Sequence, residues 1–203
     1  MAGSDRRQEI VDQAAQLFYE HGYANVGMRM IADVIGVRNA SLYYHFPSKE
    51  DLLFQICLHE TRDFVDAQRP LLEGPADPGR QVKAFFYHHI HRAWHERVKI
   101  VVTERELREL SEEHQRAVSE HTVGYRTMLE DYLTRLDAAT PPPTTDGKIV
   151  LLATVSMANS VNKWFAPDGP LRIEQVADRV STLAADTVLR AWRLGSVPAA
   201  RVA

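Results

Sequence analysis

Residues 41–53 read SLYYHFPSKEDLL. Tyr43, Tyr44, His45 and Phe46 follow one another without interruption, then Pro47 breaks the run and charges take over. A segment that only filled a core would not carry two adjacent tyrosines and a histidine, because their polar tips need partners. The helical period sorts these side chains. Leu42 and Phe46, four apart, must face inward with Ile31 and Ile35, which leaves Ala40 and Tyr44 on the opposite face with Ser41 and Tyr43 flanking it. Beyond Pro47, Ser48 stands where a helix cap belongs and Asp51 stands three residues on, an arrangement like a capping box.

The neighbourhood of this stretch is helical on both sides. Upstream, Ile10, Ala14, Leu17 and Phe18 repeat at helical spacing, which predicts a helix from about residue 5 to 21, with Gly22 as a left-handed cap. Met28, Ile31, Ala32 and Ile35 repeat the spacing for two turns before Gly36. Two short helices joined by the turn Gly36-Val37-Arg38, behind a supporting helix, match the helix-turn-helix plan, whose second helix enters the DNA major groove. On that plan the small Ala40 lets the backbone come close to the bases, and Tyr43, Tyr44 and His45 offer hydrogen-bonding tips. Lys49, at the next helix start, is placed to hold a phosphate together with free backbone N–H groups.

Downstream, Leu52, Leu53, Ile56, Phe64, Val65 and Leu72 predict one long helix up to the break at residues 74–79, which holds two prolines and two glycines. Val82, Phe85, Phe86, His89 and Ile90 open another helix that continues past Trp94. Val98 to Val102 has the composition of a strand, but it flows into the helical pattern of residues 104–118 and reads as helix. A further helix is expected from about Ser111 to Leu136, then a linker, PPPTTDG, at 141–147. A largely apolar helix at 149–165 follows, then a break at 167–170. In the last helix Ile173, Val176, Ala177, Val180, Leu183, Ala184 and Val188 share one face. The fold class is all-α, with about nine helices and no sheet. The expected division is a helix-turn-helix domain at 1–47 and a ligand-binding and dimerisation bundle at 48–203.

The run Met28 to Ala32, then Gly36-Val37, then Ser41 to Leu52 resembles the DNA-binding domain of the TetR family of transcriptional regulators, in order and with that family's spacing over roughly 45 residues. The resemblance implies an all-helical homodimer, with a three-helix reader and a larger effector domain that dimerises through its last two helices. It also implies that Arg29, Arg38, Asn39, Ser41, Tyr43 and Tyr44 approach bases or nearby backbone, and that His45 and Lys49 hold phosphates. The sequence departs from the family at three positions. Gly27 stands where a capping threonine is frequent, Arg38 replaces a frequent serine, and Ala40 replaces a frequent glycine. The segments 105–110 and 163–171 are similar to those of regulators of fatty-acid and steroid catabolism that respond to acyl-coenzyme A thioesters.

Composition bounds the rest. The chain has 203 residues, 45% of them hydrophobic, enough to bury a sizeable core. No apolar run reaches the length of a membrane span and MAGSDRRQEI has no apolar segment of a signal peptide, so a cytoplasmic protein is expected. The single cysteine, Cys57, excludes an internal disulfide and reads as a small buried hydrophobe. The net charge is −3, and residues 1–50 carry five basic against six acidic residues. Binding should therefore rest on a few placed contacts with a modest salt dependence, which excludes a non-specific DNA coater.

Two terminal helices with extended apolar faces are explained by a four-helix interface between two copies, which also suits half-sites about 34 Å apart. For an effector, Phe86, His89, Trp94, Tyr125, Met128, Met157 and Trp164 are spread over helices that would surround a bundle core, and they allow an apolar ligand site. The expectation is a ligand-responsive repressor that binds a palindromic operator as a dimer. A hydrophobic small molecule would release it, an acyl-CoA thioester being one candidate. Two alternatives stay open: a metal-responsive regulator using the face of His88, His91 and His95, with His114, His121 or Glu104 as further ligands, and a helical adaptor that does not bind DNA. No phosphate loop, nucleophile elbow or zincin motif is present, so no enzyme and no cofactor are expected.

Overall fold

The computed structural model describes residues 2–75, 77–136 and 145–194. Among the described residues there are nine α-helices and no strand. Helix α1 spans Ala2–His21 and buries Ile10, Val11, Ala14, Leu17 and Phe18. It begins before the expected residue 5. At its end Gly22 has a positive φ of 78° but a ψ of 146°, so it turns the chain into an extended path instead of closing a left-handed cap. The left-handed cap occurs one helix later. Helix α2, Met28–Ile35, ends on Gly36 at φ 73° and ψ 33°, whose N–H reaches the carbonyls of Ala32 and Asp33.

Helix α3 is short, Asn39–His45, and Phe46 closes it. Leu42 and Phe46 are fully buried with Ile31, as their spacing requires, while Ile35 is half-buried. Helix α4, Lys49–Gln68, is capped by Ser48: its Oγ accepts from the Asp51 N–H at 2.9 Å and its hydroxyl donates to Asp51 Oδ2 at 2.7 Å. The long helix expected to reach Leu72 stops at Gln68. A 3-10 turn, Arg69–Leu72, replaces its last turn because Pro70 has no N–H to continue the ladder.

Helix α5 runs from Pro78 to His95 and α6 from Arg97 to Glu106. The strand-like Val98–Val102 is helical, with Val102 buried, so packing outweighs the β preference of its valines. Helix α7 spans Glu112–Leu136, α8 Thr145–Trp164 and α9 Ile173–Leu194. Of the expected linker at 141–147, residues 141–144 lie outside the described residues, and α8 already includes 145–147. On α9 the inward face carries Ala177, Ser181, Ala184 and Val188. Leu183 was expected on that face and is 56% exposed, because the 3.6-residue period gives its place to Ser181.

The chain forms two compact units. Among the described residues, one comprises those up to Asp63 with Glu96–Val123; the other comprises those from Phe64 to His95 and from Gly124 onward. Helices α4 and α7 therefore each contribute residues to both. The first unit closes around Phe18, Ile31, Leu42, Phe46, Leu52, Leu53, Ile56 and Val102, with Cys57 fully buried among them. The second closes around Phe85, Phe86, Ile90, Leu129, Val161, Ala177 and Val188.

Candidate nucleic-acid interface and effector core

In the first unit, burial of Leu42 and Phe46 fixes how α3 is rotated. Arg38, Asn39, Ala40, Ser41, Tyr43 and Tyr44 are consequently exposed, Tyr44 at 86%, and Arg29 on α2 is exposed as well. The side chains of Arg29, Arg38, Asn39, Ser41 and Tyr43 make no hydrogen bond or ion pair with another described residue. His45 is half-buried and meets Tyr44 edge-on at 5.4 Å. Gly27 precedes α2 without a side-chain cap, in open space.

Lys49, expected to hold a phosphate, is engaged by the chain itself. Its Nζ donates to the Tyr23 carbonyl at 2.8 Å and lies 4.1 Å over the Tyr23 ring. Burial, and after it the charges of Glu50, Glu109 and Glu106, raise the Tyr23 phenol above its ordinary pKa. Behind the reader helices, α6 and the start of α7 brace α1 and α4 through contacts that sequence reasoning missed. Arg105 donates to the Phe18 and Tyr19 carbonyls at the end of α1, where a cation also suits the helix dipole. Glu106 accepts from the Tyr23 N–H at 3.3 Å and from Arg105 Nε at 2.7 Å. Lys99 pairs with Asp12 at 2.8 Å. Glu50 accepts from the Ser111 N–H at 2.8 Å and bonds His114 Nδ1 at 3.0 Å, and His114 stacks on Phe54 at 3.9 Å. The Ser111 N–H is the main reason that Glu50 sits below the usual carboxylate range.

In the second unit the buried side chain of His89 is held at both nitrogens. Nε2 is 2.6 Å from Asn159 Oδ1 and Nδ1 is 2.5 Å from the Tyr125 hydroxyl. An amide oxygen only accepts, so Nε2 carries the proton and donates, and the tyrosine O–H donates to Nδ1. That is a neutral imidazole. Burial pushes the pKa of His89 down to about 4, and burial raises Tyr125 well above its ordinary value. Phe64 packs 5.0 Å from both rings, and Phe85 lies 5.0 Å from Tyr125.

Of the expected effector residues, Phe86, His89 and Tyr125 are buried in this core and Trp94, Met128 and Met157 pack against it. Trp94 meets Phe165 edge-on at 4.7 Å. Trp164 does not join them: it is 56% exposed and its Nε1 donates to Ser160 Oγ at 3.3 Å. The reading also missed Phe64, Asn159 and a set of buried polar side chains. Gln68 is fully buried with neither amide atom partnered, and His88 Nδ1, Arg92 Nε and Asn162 Oδ1 are buried without a partner. Each such group costs roughly 1–3 kcal/mol when left unpaired. A signal existed, since Gln68 follows Phe64 by four, Arg92 follows His89 by three, and Asn162 follows Ala158 by four. All three are polar residues at positions where the helical period demands apolar ones.

His91 and His95 lie 4.4 Å apart between ring centroids. Among the described residues no group of three or more His, Cys, Asp or Glu side chains is placed to hold a metal ion, and His114 is taken up by Glu50 and Phe54. No helix among them is long and apolar enough to cross a membrane.

An exposed recognition-type helix on a packed three-helix head, followed by a helical bundle, defines a helix-turn-helix regulator. The chain belongs to the TetR family: residues 10–56 match the model for bacterial regulatory proteins of the tetR family, and residues 75–188 match that of the tetracyclin repressor-like C-terminal domain. It is 26% identical over 179 residues to the HTH-type transcriptional repressor KstR2 of Mycobacterium tuberculosis, covering 87% of this chain and 89% of that one. Among solved structures it resembles the TetR family regulator PfmR of Thermus thermophilus, with a TM-score of 0.76 and 30% identity over 87% of this chain and 97% of the other. AibR in complex with isovaleryl coenzyme A and operator DNA is similar at a TM-score of 0.70 and 27% identity, over 88% and 97% of the two chains. The protein is thus a transcriptional regulator and not an enzyme.

Proposed function

We propose that the protein is a cytoplasmic, ligand-responsive repressor that binds a palindromic operator as a homodimer through α8 and α9. In this reading residues 1–47 read DNA and residues 48–203 bind the effector and dimerise. The observation that carries it is the unengaged set on and beside α3: Arg29, Arg38, Asn39, Ser41 and Tyr43 face solvent because Leu42 and Phe46 are buried beneath them. They and Tyr44 contact bases or nearby backbone, while His45 and Lys49 hold phosphates. Lys49 exchanges the Tyr23 carbonyl for a phosphate oxygen when DNA binds.

Dimerisation is supported by Ile149, Leu152 and Trp164 on α8 and Leu183 on α9, all large apolar side chains more than 40% exposed in the single chain. The effector is a hydrophobic molecule held among Phe86, His89, Trp94, Tyr125, Met128 and Met157, with Trp164 at its margin. A coenzyme A thioester is favoured by the likeness to AibR, whose structure holds isovaleryl coenzyme A with operator DNA. Since α4 contributes to both compact units, a ligand that prefers one arrangement of the bundle can alter how the two reader heads present themselves, by no more than its differential affinity for the two states.

The test is selection of genomic DNA fragments on the purified protein, with and without acyl-CoA thioesters. A palindromic site that is enriched, and lost when one thioester is added, is the expected result. No enriched site under either condition would overturn the reading.

A further inference from the structure

Four residues of the second unit, Gln68, His88, Arg92 and Asn162, carry buried polar atoms without a partner. His89 meets Asn159 and, further along, Trp94 meets Phe165, so α5 and α8 run side by side in the same direction between these contacts. Arg92 and Asn162 occupy the interval between them. The Arg92 guanidinium also lies 5.8 Å over Phe64, which itself packs on His89. Gln68 is on the same face of α4 one turn beyond Phe64, and His88 lies one turn before Arg92 on α5.

Arg92 Nε is a donor and Asn162 Oδ1 an acceptor, yet each is buried without a partner, and Gln68 adds both a donor and an acceptor in the same condition. Such groups persist in a folded chain when something other than the chain satisfies them. The only charge in the set is positive, because burial and then the Arg92 charge press His88 toward its neutral form. From Phe64, beside Arg92, the aromatic rings continue to Tyr125 and from it to Phe85, each step 5.0 Å between centroids.

We propose that Gln68, Arg92 and Asn162 bind the polar head of the effector: an acyl oxygen accepts from Arg92 and Gln68, an N–H next to it donates to Asn162, and the apolar chain lies against Phe64, Phe85 and Tyr125. This rests on the reading that the second unit binds an apolar effector, and it adds what that effector must carry. A free carboxylate supplies the oxygen alone, whereas a thioester on an amide-bearing carrier supplies both oxygen and N–H. A hydrocarbon chain with no acyl group supplies neither.

The experiment is calorimetric titration of the full-length protein with decanoyl-CoA, decanoic acid and 1-decanol, repeated on Arg92→Met, Gln68→Leu and Asn162→Leu. Affinity should fall in that ligand order, and each variant should bind decanoyl-CoA at least tenfold more weakly while its thermal midpoint without ligand is equal to or above that of the wild type. A midpoint that holds while affinity drops separates ligand binding from a merely structural role. Wild-type affinity for decanoyl-CoA in all three variants, or 1-decanol binding as tightly as the thioester, would overturn the assignment and leave the effector reading standing. No binding of any of the three by wild-type protein that still retains operator DNA would overturn both.

Discussion

The two compact units treat buried polarity in opposite ways. In the unit that carries the reader, Arg105, Glu106, Lys49, Glu50 and Lys99 are all spent on the chain itself, and Thr103 Oγ1 is the one buried side-chain atom without a partner among the described residues. In the other unit five such atoms remain, on Gln68, His88, Arg92 and Asn162. If the head reads DNA as proposed, it gains from a rigid support, because a displaced recognition helix loses every contact at once. On the same proposal, a bundle that answers to a small molecule must keep capacity that folding does not use. The difference predicts that removing the partnered polar groups lowers stability in the first unit, and that replacing the unpaired ones by apolar residues raises it in the second.

The largest effect should come from the packing beneath the reader. Phe46→Ala removes a fully buried ring and should cost about 3–5 kcal/mol in denaturant unfolding and abolish operator binding. Retention of operator binding would mean that α3 does not depend on the core under it. Next comes acidification of the second unit. The unfolded chain protonates His89 below its ordinary 6.5, whereas the folded one resists until about 4. Stability is therefore complete above 6.5 and falls as the pH drops through that window, by about 3 kcal/mol in all. Thermal midpoints at pH 7 and pH 5 should separate clearly for the wild type and much less for His89→Gln.

Two smaller changes should have opposite signs. Gln68→Leu takes two unpaired amide atoms out of the interior and should stabilise the free protein by about 1–2 kcal/mol. Arg105→Ala uncaps α1 and should destabilise by about 1 kcal/mol, since the guanidinium is partly solvated. Like signs would dissolve the contrast between the units. The smallest effect belongs to Gly27→Thr, where there is open space and a negative φ of −104°. A capped α2 should gain a few tenths of a kcal/mol, and operator affinity measured beside it would show whether the hydroxyl also reaches a phosphate.

Much of the reader was legible because its signals are short-ranged. The Leu42–Phe46 spacing set the rotation of α3, Gly36 ended α2, and Ser48 with Asp51 started α4, each through residues within four positions. The same logic failed where local preference yields to something local but stronger, as when Pro70 cut α4 short. Nor did it give the contact of Lys49 with Tyr23, which lies 26 residues away and is not suggested by any periodicity.

By itself the sequence determined that the chain is all-α, that a helix-turn-helix head opens it, and which side chains of α3 stay outside. Helix period and capping are written in neighbouring residues, where backbone geometry leaves few choices. Only the tertiary structure decided that Arg105 closes the end of α1, 87 residues earlier, and that His89 joins α7 and α8 through Tyr125 and Asn159, 36 and 70 residues later. It alone showed which polar groups of the bundle are left unpaired. Such pairings depend on which helix faces meet, and that is set by the packing of the whole unit, which no window of neighbouring residues contains.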